Sequence, residues 1–134
     1  VKFKIESDKL MIGKSSKTIF SFLSDFKNYE HLMPEQVTDW KATDVDCSFN
    51  IKNMGDISLE MKDRVEDSHI HITSTGNVPF DVDLKAHLEP IDDDQSKVHI
   101  VLEGEMSQMI YLMAKKPLQN LANHMVTRLR EHHS

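Results

Sequence analysis

MSQMIYLMAKKPLQNLANHMVTRLREHH, residues 106–133, is the stretch around which the rest of the chain has to fold. Met109, Ile110, Met113, Ala114, Leu118, Leu121, Met125 and Leu129 recur at spacings of three and four, as on one face of a helix. Lys115, Lys116, Gln119, Asn123, Arg128 and Arg130 fall largely off that stripe. Pro117 lacks an N–H and its ring crowds the carbonyl four residues back, so a kink or break is expected at about 116. Met106, Met109, Met113 and Met125 are flexible, polarizable side chains that fill irregular space or adapt to varied apolar partners. Two readings follow: an adjustable wall over a pocket, or the packing of an ordinary core.

Upstream, residues 2–12 alternate as one imperfect strand, with Phe3, Ile5, Ser7, Lys9 and Met11 on one side. The period then becomes helical through Ile19, Phe20, Phe22, Leu23 and Phe26, with Ser15 or Ser16 as N-cap. Asp25 can cap a second short helix that holds Tyr29, Leu32 and Met33 and stops at Pro34. From there the period is two for most of the chain. QVTDWKAT (36–43), SFNIKNM (48–54), DISLEMKDRVED (56–67), HIHITST (69–75), FDVDLKAHLEP (80–90) and KVHIVLEGEM (97–106) read as six strands. FDVDLKAHLEP alternates most cleanly, Phe80, Val82, Leu84, Ala86 and Leu88 against Asp81, Asp83, Lys85 and His87. Such strands have one wet and one covered face, as antiparallel sheets commonly do.

Seven strands at roughly 4.8 Å spacing make a sheet about 30 Å across. The one long helix is about 10–12 Å wide and cannot cover it flat. The sheet is therefore expected to curl around the helix, with Gly55, Gly76 and Gly104 as candidate bends. A cavity is the natural by-product, because space left between them must be filled by side chains or by a guest.

IFSFLSDFKNYEHLMPEQV (19–37) and MIYLMAKKPLQNLANHMVTRL (109–129) together resemble the START-like superfamily, also called SRPBCC. It includes the birch-pollen allergen fold, polyketide cyclases and coenzyme-Q-binding proteins. The echo is a helix ending in Phe-Leu-Ser-Asp-Phe, a Tyr soon after, a Met-Pro stop, an antiparallel sheet and a final helix interrupted by Lys-Pro-Leu. Ser16-Lys17 stands where a proline often opens the first helix. The resemblance implies an α+β helix-grip fold over residues 1–134 as a single domain. A curved seven-stranded antiparallel sheet would wrap the long C-terminal helix, with two short helices between strands 1 and 2. It also implies an apolar pocket. The wall residues expected are Trp40, Phe49, Ile51, Leu59, Met61, Phe80, Val82, Leu84, Ile100, Leu102, Met109, Tyr111, Met113 and Leu121. The occupant expected is a small hydrophobic molecule such as a lipid, a quinone or a polyketide-like compound, bound without catalysis. The alternative is a cyclase or dehydratase in which Asp63, Tyr111 or His124 acts as acid or base. Asn120 and Trp40 are further candidates for a polar contact with the guest.

Composition narrows the rest. A net charge of −6 disfavours a nucleic-acid partner. No apolar run is long enough to span a bilayer, and VKFKIESDKL at 1–10 has no uninterrupted apolar stretch of the signal-peptide kind, so a cytoplasmic protein without membrane insertion is expected. The single Cys47 excludes an internal disulfide and a multi-thiolate zinc site. His69, His71, His87 and His99 share the outward phase with charged residues and read as surface histidines rather than metal ligands. Asp63 falls in the inward phase and reads as a partly solvated strand end. Asp92, Asp93 and Asp94 form a turn without calcium-loop spacing. His132 and His133 are expected in a fraying end. With no phosphate-cradling glycine loop and no serine elbow, no cofactor is expected.

Overall fold

The computed structural model describes residues 1–66 and 68–133. Strands β1 (Lys2–Glu6) and β2 (Leu10–Ile12) lead into helix α1 (Ser16–Leu23) and a 3-10 helix (Phe26–Leu32). Strands β3 (Val37–Ala42), β4 (Asp46–Ile51), β5 (Gly55–Val65), β6 (His69–Ser74), β7 (Asp81–Asp92) and β8 (Gln95–Glu105) follow, and helix α2 (Gln108–His132) closes the chain. Neighbours run β1-β8-β7-β6-β5-β4-β3, all antiparallel, with β2 also on β8. This is the expected helix-grip arrangement of a curved antiparallel sheet around a long C-terminal helix. Asp67, the last residue of the strand expected over 56–67, lies outside the described residues.

The first expected strand is two. Glu6 pairs with Val101 and Leu10 with Val98, so four steps along the first strand match three along β8. The extra residue is a bulge, and it reverses the phase: Phe3, Ile5 and Ser7 are buried, then Ile12, while Lys9 and Met11 are exposed. Ser7 bridges the gap. Its N–H donates to the Ile100 carbonyl at 2.8 Å, and its Oγ accepts the Ile100 N–H at 2.8 Å, in place of a ladder carbonyl.

Further register shifts occur between Thr38 and Lys41, Met61 and Asp63, and Pro90 and Asp92. These bulges, more than the glycines, are the places where strands can bend. Gly55 and Gly76 take positive φ of 108° and 69° where hairpins turn, not in mid-strand. Gly104 does lie within the sheet, between Phe3 and Val82. A Cβ there would come 2.1 Å from the Asp81 carbonyl oxygen, so only glycine allows β7 and β8 this close.

Ser15 is the N-cap of α1, its Oγ accepting the Thr18 N–H. Asp25 caps the next element as expected, but that element is a 3-10 helix. Tyr29 Oη donates to the Leu23 carbonyl at 2.7 Å, which ties the two short helices together inside the core. Ser107 caps α2, and the helix runs unbroken from Gln108 to His132 with Pro117 inside it, so of the kink or break expected there the break does not occur. Its buried face is Ala114, Leu118, Leu121, Ala122, Met125, Val126 and Leu129. Gln119 Nε2 donates to the Glu6 carbonyl at 2.8 Å, and Asn123 Oδ1 accepts the Asp8 N–H at 3.1 Å, fastening α2 to the β1 edge. His132 and His133 do not fray: both rings pack on Phe22 with centroids 4.8 Å away, and His132 stacks on His31 at 5.4 Å.

Candidate functional site

Between the concave face of the sheet and the middle of α2 lies an apolar chamber. Trp40 of β3, Phe49 and Ile51 of β4, Ile57 and Leu59 of β5, Ile72 of β6, Val82 and Leu84 of β7 and Leu102 of β8 form its sheet side, with Phe80 just before β7. Leu118, Leu121 and Met125 of α2 close it from above, and Tyr29 and Met33 from the short-helix end. Period two along each strand puts alternate residues on this face, which is why Phe49 and Ile51, Ile57 and Leu59, and Val82 and Leu84 appear as pairs. No polar surface lines the open space. A water-sized sphere finds about 40 Å³ for its centre, less than a ring-sized guest needs with the walls as they stand.

A second hollow opens to solvent at one end, with about 390 Å³ between the turn Lys52, Asn53, Met54, the segment Pro79, Phe80 and the α2 residues Ile110, Met113, Ala114 and Pro117. A narrow neck region of side chains lies between it and the chamber. Met54 and Pro117 belong to both hollow and neck, and Ile51, Leu118 and Leu121 to both neck and chamber. The neck admits no water-sized sphere in this conformation.

The residues expected in the wall therefore divide. Trp40, Phe49, Ile51, Leu59, Phe80, Val82, Leu84, Leu102 and Leu121 line the chamber. Met113 stands on the rim of the outer hollow. Ile100 is buried but off the chamber wall, and Met61, at the β5 bulge, is half-buried. Tyr111 packs on Phe3, ring centroids 6.3 Å apart. Met109 is 75% exposed and reaches neither hollow. Counting the stripe in steps of four causes this displacement: each step gains about 40°, so Met109 ends roughly 160° from Met125 around the axis. Tyr29, Met33, Ile57, Ile72, Leu118 and Met125 line the chamber without having been singled out as wall residues. Ile57, Ile72, Leu118 and Met125 carried a signal, the inward phase or the stripe; the end wall made by Tyr29 and Met33 left none.

The groups considered for acid–base work stand elsewhere. Asp63 is exposed and lies 3.6 Å from His69 Nε2; His124 is half-buried off the wall, and Asn120 is exposed. Tyr29 is the one wall residue with a titratable proton, and burial, then the nearby Cys47, push its phenol far above the usual range. Burial likewise pushes the Cys47 thiol up to about 12, with the Asp46 carboxylate adding to the shift and a backbone hydrogen bond at Leu59 opposing it. On the outer face, His87 stacks on His99 at 4.8 Å and lies 6.4 Å from His69. His71 Nε2 is 3.2 Å from Asp83 Oδ1. Desolvation, and then the His99 ring, hold His87 below the usual imidazole range. No group of three His, Cys, Asp or Glu that could hold a metal ion occurs among the described residues. No helix among them is long and apolar enough to cross a membrane.

No protein-family model and no curated protein matches the sequence. Solved structures match over nearly the whole chain. A START superfamily protein from Mycobacterium smegmatis has 15% identity and a TM-score of 0.71, covering 97% of this chain and 96% of its own. Norcoclaurine synthase from Thalictrum flavum, in complex with dopamine and hydroxybenzaldehyde, has 12% identity and a TM-score of 0.72, covering 98% of this chain and 86% of its own. A protein from Bacillus thuringiensis has 10% identity and a TM-score of 0.68, covering 98% of each chain. At these identities the likeness is one of fold: this chain has the START-like fold that those proteins share.

Proposed function

We propose that this protein binds and carries a small apolar molecule in the chamber between sheet and α2, without chemical change to it. The observation that carries the reading is the wall itself, lined by aliphatic, aromatic and thioether groups and free of polar surface. A wall of that kind favours a guest by removing its apolar surface from water, about 25 cal/mol for each Å². Immobilising the guest opposes this. The 40 Å³ of present free space sets a condition: a ring-sized guest enters only as side chains give way. Met33 and Met125 are on the wall, and unbranched thioethers repack at low cost. Norcoclaurine synthase, with its similar fold, takes dopamine and hydroxybenzaldehyde, both compact ring compounds. This supports a guest of that size for the same architecture.

Trp40 is the only tryptophan in the chain, so heavy-atom quenching reads the wall directly. Iodobenzene is expected to quench its emission saturably in the wild type. In Val82→Phe, which fills the chamber, the saturable part is expected to disappear while far-UV circular dichroism is retained. Quenching that rises linearly and equally in both folded proteins contradicts the reading.

A further inference from the structure

One residue of the chamber wall carries a donor without an acceptor. Trp40 Nε1 is buried and has no hydrogen-bond partner, the one such side-chain atom among the described residues. Its position is built, not incidental. Thr38 pairs with Asn50 and Lys41 with Ser48, so β3 carries an extra residue where β4 does not, and Asp39 within that bulge has a φ of 57°. The bulge re-aims the strand, and Trp40 lies stacked on Phe49, centroids 5.2 Å apart and planes 22° apart. A phenylalanine would also supply a ring to stack and an apolar wall, with no buried N–H. Native interiors rarely leave such a group unmatched, and each exception calls for an explanation.

Water explains it poorly. A buried water typically makes about three hydrogen bonds, whereas a water in this chamber would find no polar surface beside the indole. A charged acceptor is excluded by cost, because no wall residue is cationic and an unpaired carboxylate is expensive to bury. An alcohol could accept from the indole, but its own proton would then be orphaned against hydrocarbon. A neutral oxygen with lone pairs and no proton fits all three conditions.

Resting on the carrier reading above, we infer that the guest is a compact apolar molecule with one neutral acceptor oxygen, a ketone, aldehyde or ether, which takes the Trp40 Nε1 proton in a hydrogen bond. The chamber's tightness and the unmatched donor are then relieved together: as the walls yield to the hydrocarbon body, the oxygen reaches an N–H that side chains otherwise cover.

Cyclohexanone and methylenecyclohexane are near-isosteres that differ in C=O against C=CH2. Their affinities are to be measured for wild type and Trp40→Phe, and for a protein with benzothienylalanine at position 40, where sulfur replaces N–H at nearly constant shape. Loss of the donor is expected to weaken cyclohexanone about tenfold and to leave methylenecyclohexane within about twofold. Comparing each guest with itself across proteins cancels its own cost of leaving water. In the wild type the single indole N–H resonance is expected to move downfield with cyclohexanone and not with the alkene. Equal losses for both guests, or no selective indole shift, overturn the donor role while the carrier reading stands. Failure of both guests to bind the wild type overturns the carrier reading and this inference with it.

Discussion

Ser7 stands where a ladder needs a carbonyl and supplies a hydroxyl oxygen to the Ile100 N–H instead. Ser7→Ala leaves that buried donor unmatched, at a cost of about 1–3 kcal/mol in chemical denaturation; a change below about 0.5 kcal/mol contradicts the role. Hydropathy cannot display such a substitution, so an alternating pattern through residues 2–12 gives no hint that its phase reverses at Ser7. Cys47 yields a second test at this scale. Its thiol keeps its proton to about 12 in the folded state against about 9 when free. The native state therefore binds more protons than the unfolded state in that window, and stability falls as pH rises through it, by at most about 1.4 kcal/mol per unit for one group. Cys47→Ala is expected to flatten the decline between pH 9 and 10, where Tyr29, present in both proteins, adds a smaller contribution to each. Identical slopes in the two proteins would show that the thiol is not buried as described.

Among the elements, β7 was the most legible. Val82, Leu84, Ala86 and Leu88 are buried as its alternation requires. Helix α2 was legible only in its second half. There the stripe advances in mixed steps of three and four, keeping Leu118, Leu121, Met125 and Leu129 on the buried side. In the first half it advances by four, and Met109 and Met113 drift to solvent with Leu112 beside them, 75%, 66% and 72% exposed. Pro117 was expected to kink or break the helix; it does not break, because the packing of Ala114, Leu118 and Leu121 on both sides holds the backbone where the missing N–H would release it. The local penalty persists: the Met113 carbonyl has lost its helical donor. Pro117→Ala is accordingly expected to stabilise the fold by about 1–3 kcal/mol in denaturant titration. A loss of stability would mean that the proline ring's place in the neck outweighs the restored hydrogen bond.

For the whole molecule, the broad sheet and the lone long helix foretold a concave core, since a strip about 30 Å wide cannot be covered by a rod of about 10–12 Å. The free volume was not foretold. It is a small difference between the space enclosed and the side chains that fill it, and the end wall made by Tyr29 and Met33 comes from a short helix and its C-cap, whose placement no periodicity encodes. The carrier role depends on that difference and on how readily the walls yield. Methyl-resolved NMR during titration with methylenecyclohexane tests it most directly. The account predicts saturable shifts concentrated at Leu59, Val82, Leu84, Leu121 and Met125, on opposite walls of the chamber. Methyls that stay still, or shifts confined to the exposed Met109, Leu112 and Met113, would contradict it.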